Sequence, residues 1–203
     1  IVDTIKFQLN ARRQPYGQGA DLSLLNESVG NEVLAFHQKF PDSRVTPLRK
    51  LEFLSQRLGL GSIHIKDEAQ RFGLNAFKGL GGSYAMGKYL AALLERDINT
   101  LSFAELNSPV IKARIKDIVF VTATDGNHGR GVAWAAEQLG LRAVVYMPKG
   151  SSPVRAQNIR RHGAECTITE LNYDDTVRLA AKTAREQGWV LLQDTAWQGY
   201  EQI

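Results

Sequence analysis

Apolar runs alternate with amphipathic ones through the second half of the chain, and this limits the architecture more than any other feature. Residues 117–122 (Asp-Ile-Val-Phe-Val-Thr) form a nearly continuous apolar run, 131–139 has helical spacing, and 142–147 (Arg-Ala-Val-Val-Tyr-Met) is apolar again and stops at Pro148. The alternation continues with a helix over 151–161, a strand over 164–169, a helix over 174–187 and a strand over 189–193. Strands that are apolar on both faces need cover on both sides. The order β-α-β-α-β-α-β therefore predicts an α/β fold with a parallel sheet, helices on both faces and right-handed crossovers.

The first half is less regular. Residues 1 to about 30 are polar and contain glycine, and read as a loosely packed entry segment. A helix is expected over 33–40, where Pro41 stops it, followed by an extended entry over 44–48. Apolar residues at 48, 51, 54 and 58 have a 3.6-residue period and predict a helix over 48–60, closed by Gly59 and Gly61. The β-branched alternation of 62–66 reads as a strand, and 84–96 as a helix.

With 203 residues, 43% of them hydrophobic, the chain can bury a substantial core. Its 25 Lys and Arg against 21 Asp and Glu leave a charge of +4 that is scattered, not gathered into a stripe with interleaved aromatics. This is no nucleic-acid footprint, and it suits a small anionic substrate. The single cysteine, Cys166, rules out an internal disulfide and lies in an alternating run, which predicts a buried thiol and a reducing, cytoplasmic setting. No apolar run approaches the ~20 residues of a membrane span, and the first residues lack a signal-peptide pattern, so no membrane partner is expected.

Two glycine-rich stretches are expected to be turns leading into helices beyond the carboxyl ends of strands. They are Gly79-Leu-Gly-Gly-Ser83 and Asp125-Gly-Asn-His-Gly-Arg-Gly131. Such turns either aim backbone N–H groups at an anion or use glycine for geometry alone. A dinucleotide site needs G-x-G-x-x-G, whereas Gly126, Gly129 and Gly131 give G-x-x-G-x-G, and Tyr146-Met-Pro-Lys149 stands where the acidic partner belongs. That spacing argues against a nicotinamide-dependent dehydrogenase.

Several motifs occur together and in order: Thr46-Pro-Leu48, then Lys66-Asp-Glu-Ala-Gln-Arg-Phe-Gly-Leu-Asn-Ala-Phe-Lys78, then Thr122-Ala-Thr-Asp-Gly-Asn-His-Gly-Arg-Gly131. Asn172-Tyr-Asp-Asp-Thr176 and Gln193-Asp-Thr-Ala-Trp197 follow them. This series resembles the tryptophan-synthase-β, or fold type II, pyridoxal-phosphate enzymes, most of all the diaminopropionate ammonia-lyases among them. The likeness runs through nearly all of the chain after about residue 33.

The resemblance implies that Lys78 is the Schiff-base lysine, with Phe77, Gly126 and Asn127 as further contacts of pyridoxal 5'-phosphate. Asn127 matches the family residue that hydrogen-bonds the cofactor's phenolic oxygen. Asp125 stands where the related dehydratases carry a hydroxyl residue. A carboxylate there would repel a substrate carboxylate, but suits a second ammonium group or proton abstraction at Cα. Asp194 matches a second acidic residue, and two carboxylates approaching from different directions would allow both enantiomers to react.

The implied reaction is α,β-elimination of 2,3-diaminopropionate to pyruvate and ammonia. The alternatives are a serine or threonine dehydratase, or a non-catalytic amino-acid-binding module. The resemblance also implies a homodimer and a small amino acid as substrate. Family members are about twice this long, and neither a phosphate-binding loop nor a residue facing the pyridine nitrogen is found. A partial chain is therefore expected, with the two-domain fold present only in part: 1–90 in the large domain, 91–190 as a small α/β domain, and 191–203 returning to the large one.

Other residues carry plainer readings. No metal site is expected, because the four histidines (37, 64, 128 and 162) have no ligand-spaced partners. His128 reads as positioning its loop. Arg130 either pairs with a carboxylate or phosphate or has a structural role. Trp134, Trp189 and Trp197 suggest core packing, Asp174 and Asp175 a helix start, and Asp194 alternatively a helix cap.

Overall fold

A computed structural model of the protein describes residues 10–15, 25–195 and 200. Most of the entry segment expected over 1–30, the packing of Trp197 and most of the return over 191–203 lie outside the described residues.

The alternation of the second half yields β3 (Val119–Ala123), α6 (Asn127–Leu139), β4 (Arg142–Met147), α7 (Pro153–Arg160), β5 (Glu165–Ile168), α8 (Tyr173–Gln187) and β6 (Val190–Leu191). These strands form a parallel sheet of order β5-β4-β3-β6, in register through Val121↔Val144, Val145↔Cys166 and Phe120↔Val190. All five residues of β3 are buried. Because side chains alternate along a strand, Phe120 joins the cluster that contains Val132 of α6 and Ala156 of α7, while Val119, Val121 and Ala123 join Ala180 and Ala184 of α8. Helices therefore cover both faces, as the sequence predicts.

The larger cluster continues into the first half, taking in Phe36 of α1 (Glu27–Gln38) and Met86 and Leu90 of α3 (Lys78–Leu93). Trp134 and Cys166 lie inside it, 6% and 7% exposed. Burial pushes the Cys166 thiol above its usual range, so it is an inert packing group.

Three expectations need correction. First, α3 begins at Lys78, not near Tyr84, so Gly79-Leu-Gly-Gly-Ser83 is helix and not a turn. The glycines serve helix packing: a Cβ on Gly131 of α6 would lie 2.7 Å from the Lys78 carbonyl carbon and 2.8 Å from the Gly79 nitrogen. A Cβ on Gly82 would meet the Gly131 backbone at 3.4 Å. Second, residues 48–60 are not one helix. Leu48–Lys50 forms β1, antiparallel to β2 (His64–Lys66), and only Glu52–Arg57 is helical, as α2. Leu48, Leu54 and Leu58 are exposed, so their period marks no buried face here. Third, α6 starts at Asn127, leaving only Asp125 and Gly126 in the turn.

Two further short helices, α4 (Phe103–Leu106) and α5 (Pro109–Ile115), carry clear start signals in the sequence. Ser102 and Glu105 make a reciprocal capping box, and Ser108 caps a helix that opens on Pro109. At α8 the cap is Asn172, with Asp174 and Asp175 in the first turn.

A polar brace holds the segment before Lys78. Glu68 accepts from Arg71 Nε at 2.7 Å and from the Thr46 hydroxyl, and Arg71 also donates to the Arg44 carbonyl at 2.9 Å. The Arg71 hydrogen bond holds the Glu68 carboxyl down to about 2. A depressed carboxylate stabilises the fold above its unfolded value, and this contribution is lost as pH falls through the folded one. Glu68→Gln should lower the melting temperature at neutral pH, and the gap to wild type should close as pH falls from about 4.5 to about 2.

Candidate active site

Parallel strands end on one edge of the sheet, and two of them deliver acidic residues there. After β3, the Thr124 hydroxyl accepts from the Gly126 and Gly129 N–H groups at 2.9 and 3.1 Å, which tightens the turn into α6. Gly126 adopts φ 156°, where a Cβ would also lie 2.9 Å from Arg155 Cδ, so glycine is required. After β6, the Gln193 side chain pins the chain back onto β3, accepting from the Thr122 hydroxyl and from the Ala123 N–H at 3.1 Å. The Tyr200 hydroxyl accepts from the Gln193 N–H at 2.8 Å. Asp194 follows this double anchor.

Lys78 comes to the same place from the opposite side. The loop before it carries positive φ at Phe72, Gly73 and Asn75. Arg130 of α6 donates to the Leu74 carbonyl at 2.9 Å, and Phe72 stacks on Trp134 at 4.3 Å. Arg130 is thus a structural clamp on the lysine loop, the second of its two expected readings. The Lys78 ammonium lies 2.6 Å from Asp194 Oδ2 and 5.5 Å from the centre of the Phe77 ring. A cation at a helix N-terminus is disfavoured by the helix dipole, and the Asp194 carboxylate offsets this. Asp194 therefore pairs with Lys78; it caps no helix among the described residues.

Both side chains border a cavity of about 650 Å³. Gly81, Gly82 and Ala85 give α3 a smooth wall on one side, and Glu32, Tyr84 and Lys88 close its far end. Glu32 accepts from the Tyr84 hydroxyl, which holds its carboxyl below the usual range. These far-wall residues were not anticipated, because nothing in their spacing distinguishes them from a solvated helix face.

His128 also borders the cavity. Its Nε2 lies 3.0 Å from the Leu192 carbonyl and its Nδ1 3.9 Å from Asp194 Oδ2. Burial holds the imidazole below its usual range, outweighing the Leu192 carbonyl and the Asp194 charge. Burial pushes Asp194 upward, but the Lys78 hydrogen bond and the attraction of His128 and Lys78 leave it below the usual carboxylate range.

The remaining expected residues stand at the edge of this arrangement. Asn127 opens α6 with an exposed side chain, one helical turn from Gly131, the residue that abuts the Lys78 backbone. Asp125 is 78% exposed, with its carboxylate 4.0 Å from Arg155, and it is not among the cavity residues. Tyr173, at the start of α8, senses both acids: burial, then the Asp194 and Asp125 charges, push its phenol upward. Among the described residues no group of three or more His, Cys, Asp or Glu side chains is placed to hold a metal ion, and no helix is long and apolar enough to cross a membrane.

A family model described as pyridoxal-phosphate dependent enzyme matches residues 40–203. The diaminopropionate ammonia-lyase of Salmonella typhimurium (strain LT2) is 75% identical over 201 residues, covering 99% of this chain and 50% of that protein. The biosynthetic L-threonine dehydratase IlvA of the same organism is 33% identical over 150 residues, covering 73% of this chain and 24% of that one. Among solved structures, Escherichia coli diaminopropionate ammonia-lyase in complex with D-serine superposes with a TM-score of 0.84 at 50% identity, over 88% of this chain and 45% of that chain. The chain thus spans about half the length of the curated ammonia-lyases it matches.

Proposed function

The chain belongs to the pyridoxal-phosphate dependent enzymes, of fold type II, and from that premise we propose that the complete protein is an ammonia-lyase converting 2,3-diaminopropionate to pyruvate and ammonia. The observation that carries this reading is the Lys78 amine at a cavity wall, 2.6 Å from Asp194.

The residues present fit the reactive end of the cofactor. Lys78 offers a primary amine that is one-third exposed beside a cavity with room for a small aromatic ring. Gly126 presents backbone where a Cβ would be blocked, and Asn127 follows with its amide exposed. Lys78 would hold the aldehyde carbon, Asn127 the phenolic oxygen, and Phe77 and Gly126 would flank them. The chemistry the cofactor supplies when bound is an electron sink conjugated to the substrate's Cα.

The chain's own residues then handle protons. Lys78, as a free amine, would move protons at the substrate's Cα and at the departing amine. Asp194 shares the Lys78 proton and serves as a base on that side. Asp125, exposed and negative, suits the second ammonium of a diamine and serves as the opposing base. In this reading residues 1–90 and 191–203 belong to the large domain and 91–190 to the small one, and the protein works as a homodimer in the cytosol.

Purified complete protein should release pyruvate from 2,3-diaminopropionate at least about tenfold faster than from serine or threonine. Faster turnover of the hydroxy amino acids would make it a dehydratase. Absence of turnover on all three, with cofactor supplied, would favour a binding module.

A further inference from the structure

We propose that His128 receives, through Asp194, the proton that Lys78 must shed before its amine can attack a carbonyl. This rests on the reading of Lys78 as the cofactor lysine and adds a residue that acts one step behind it.

A carbonyl oxygen can only accept, so the 3.0 Å contact to Leu192 places the hydrogen of neutral His128 on Nε2. Nδ1 is then bare. It faces Asp194 Oδ2 at 3.9 Å, the same oxygen that Lys78 holds at 2.6 Å. A bare, buried ring nitrogen and a partly exposed carboxylate oxygen facing each other form a vacancy for one proton. While Lys78 is an ammonium, it supplies Oδ2 with a hydrogen and its charge opposes a second cation at His128. Once Lys78 is neutral that opposition disappears, and the Asp194 charge makes an imidazolium easier to form against the cost of burial.

The transfer balances. The Lys78 N–H bond breaks and leaves its electron pair on nitrogen, the proton bonds to Asp194 Oδ2, and rotation of the carboxyl delivers it to His128 Nδ1. At the end Lys78 is a neutral amine, Asp194 is again a carboxylate and His128 is a cation. The charge of the trio is unchanged.

Asp194 passes the proton on and does not store it, because its Oδ2 faces both Lys78 and His128 Nδ1. The other groups near the trio do not compete for it. Tyr173 on α8 stays protonated because its phenol is pushed upward, and Asp125 at the head of α6 faces solvent and Arg155. The remaining charges that bear on His128 are Lys78 on α3 and Asp194 after β6.

The test uses the complete protein without added cofactor. Nitrogen-15 NMR of labelled histidine should find His128 neutral, with its hydrogen on Nε2, at pH 7.5, and should find that His128 takes up its second proton at higher pH in Lys78→Met than in wild type. The rate of Lys78 acetylation by acetic anhydride at pH 7.5, read by mass spectrometry of the Lys78 peptide, should fall about tenfold in His128→Gln. Glutamine can still donate to Leu192, but its amide oxygen is too weak a base to take the proton as Nδ1 can. An unchanged acetylation rate in folded His128→Gln would overturn the proposal. So would a hydrogen on Nδ1, or a second proton taken up at the same pH in both proteins, and these readouts keep the test decisive even where the glutamine variant fails to fold. Neither readout involves cofactor, so a protein that never binds it would defeat the proposed function and leave this result standing.

Discussion

Lys78→Ala should reduce turnover of 2,3-diaminopropionate by about three orders of magnitude or more and abolish the absorbance band of the lysine-bound cofactor. The size follows from the number of tasks placed on one nitrogen. In the proposed function it binds the cofactor covalently, is released by substrate and then carries protons, so no neighbour can replace it. Asp194 cannot form the bond, and Lys88, the other lysine bordering the cavity, stands at the far wall beside Glu32. The fold should survive. The Lys78–Asp194 pair is one-third exposed on the lysine side, so its loss removes no more than about 1 kcal/mol of stability. A melting temperature within a few degrees of wild type, together with lost activity, separates this outcome from unfolding.

Gly131→Ala should destabilise the protein markedly for the addition of a single methyl group. Two opposing terms decide the sign. Alanine in a helix interior is favoured over glycine by about 1 kcal/mol. Against this, the new Cβ would lie 2.7 to 2.8 Å from the backbone of Lys78 and Gly79, which cannot rotate away as a side chain can. Forcing apart two well-packed helices costs about 1–3 kcal/mol or more, so the net change should be destabilising and visible as a drop of several degrees in melting temperature. Gly81 is the internal control. Nothing lies within 4 Å of a Cβ there, so Gly81→Ala should leave the melting temperature unchanged or slightly raised. Because Gly131 abuts the Lys78 backbone, its replacement should also shift the lysine and weaken cofactor retention.

The same glycines mark the limit of what could be read from the sequence. Residues 142–147 were legible as a strand to the residue, because a strand covered on both faces reads as an unbroken apolar run. The helices between such strands followed from their spacing. Glycine is different, since it serves a turn, a phosphate cradle or a close helix contact equally well. Only the position of Gly131, about 50 residues away in sequence, reveals which of these holds for 79–82. The apolar period of 48–58 misled for a related reason. It predicted a buried helical face, whereas Leu48, Leu54 and Leu58 remain exposed here.

The site was partly legible. The expectation that strand ends carry the chemistry placed Asp125 and Asp194 on one edge, and the motif resemblance singled out Lys78. The Lys78–Asp194 contact joins residues 116 positions apart, which no local spacing can anticipate. The partner of His128 is a backbone carbonyl, Leu192, and a carbonyl leaves no residue-type signal at all.

In the proposed function Lys78 carries the cofactor. The most direct measurement is to incubate the complete protein with pyridoxal 5'-phosphate, reduce with borohydride, digest, and locate the modified lysine by mass spectrometry. One stoichiometric modification is expected, on the peptide containing Lys78. A modification located on another lysine, or no stoichiometric modification of the folded complete protein, would contradict it.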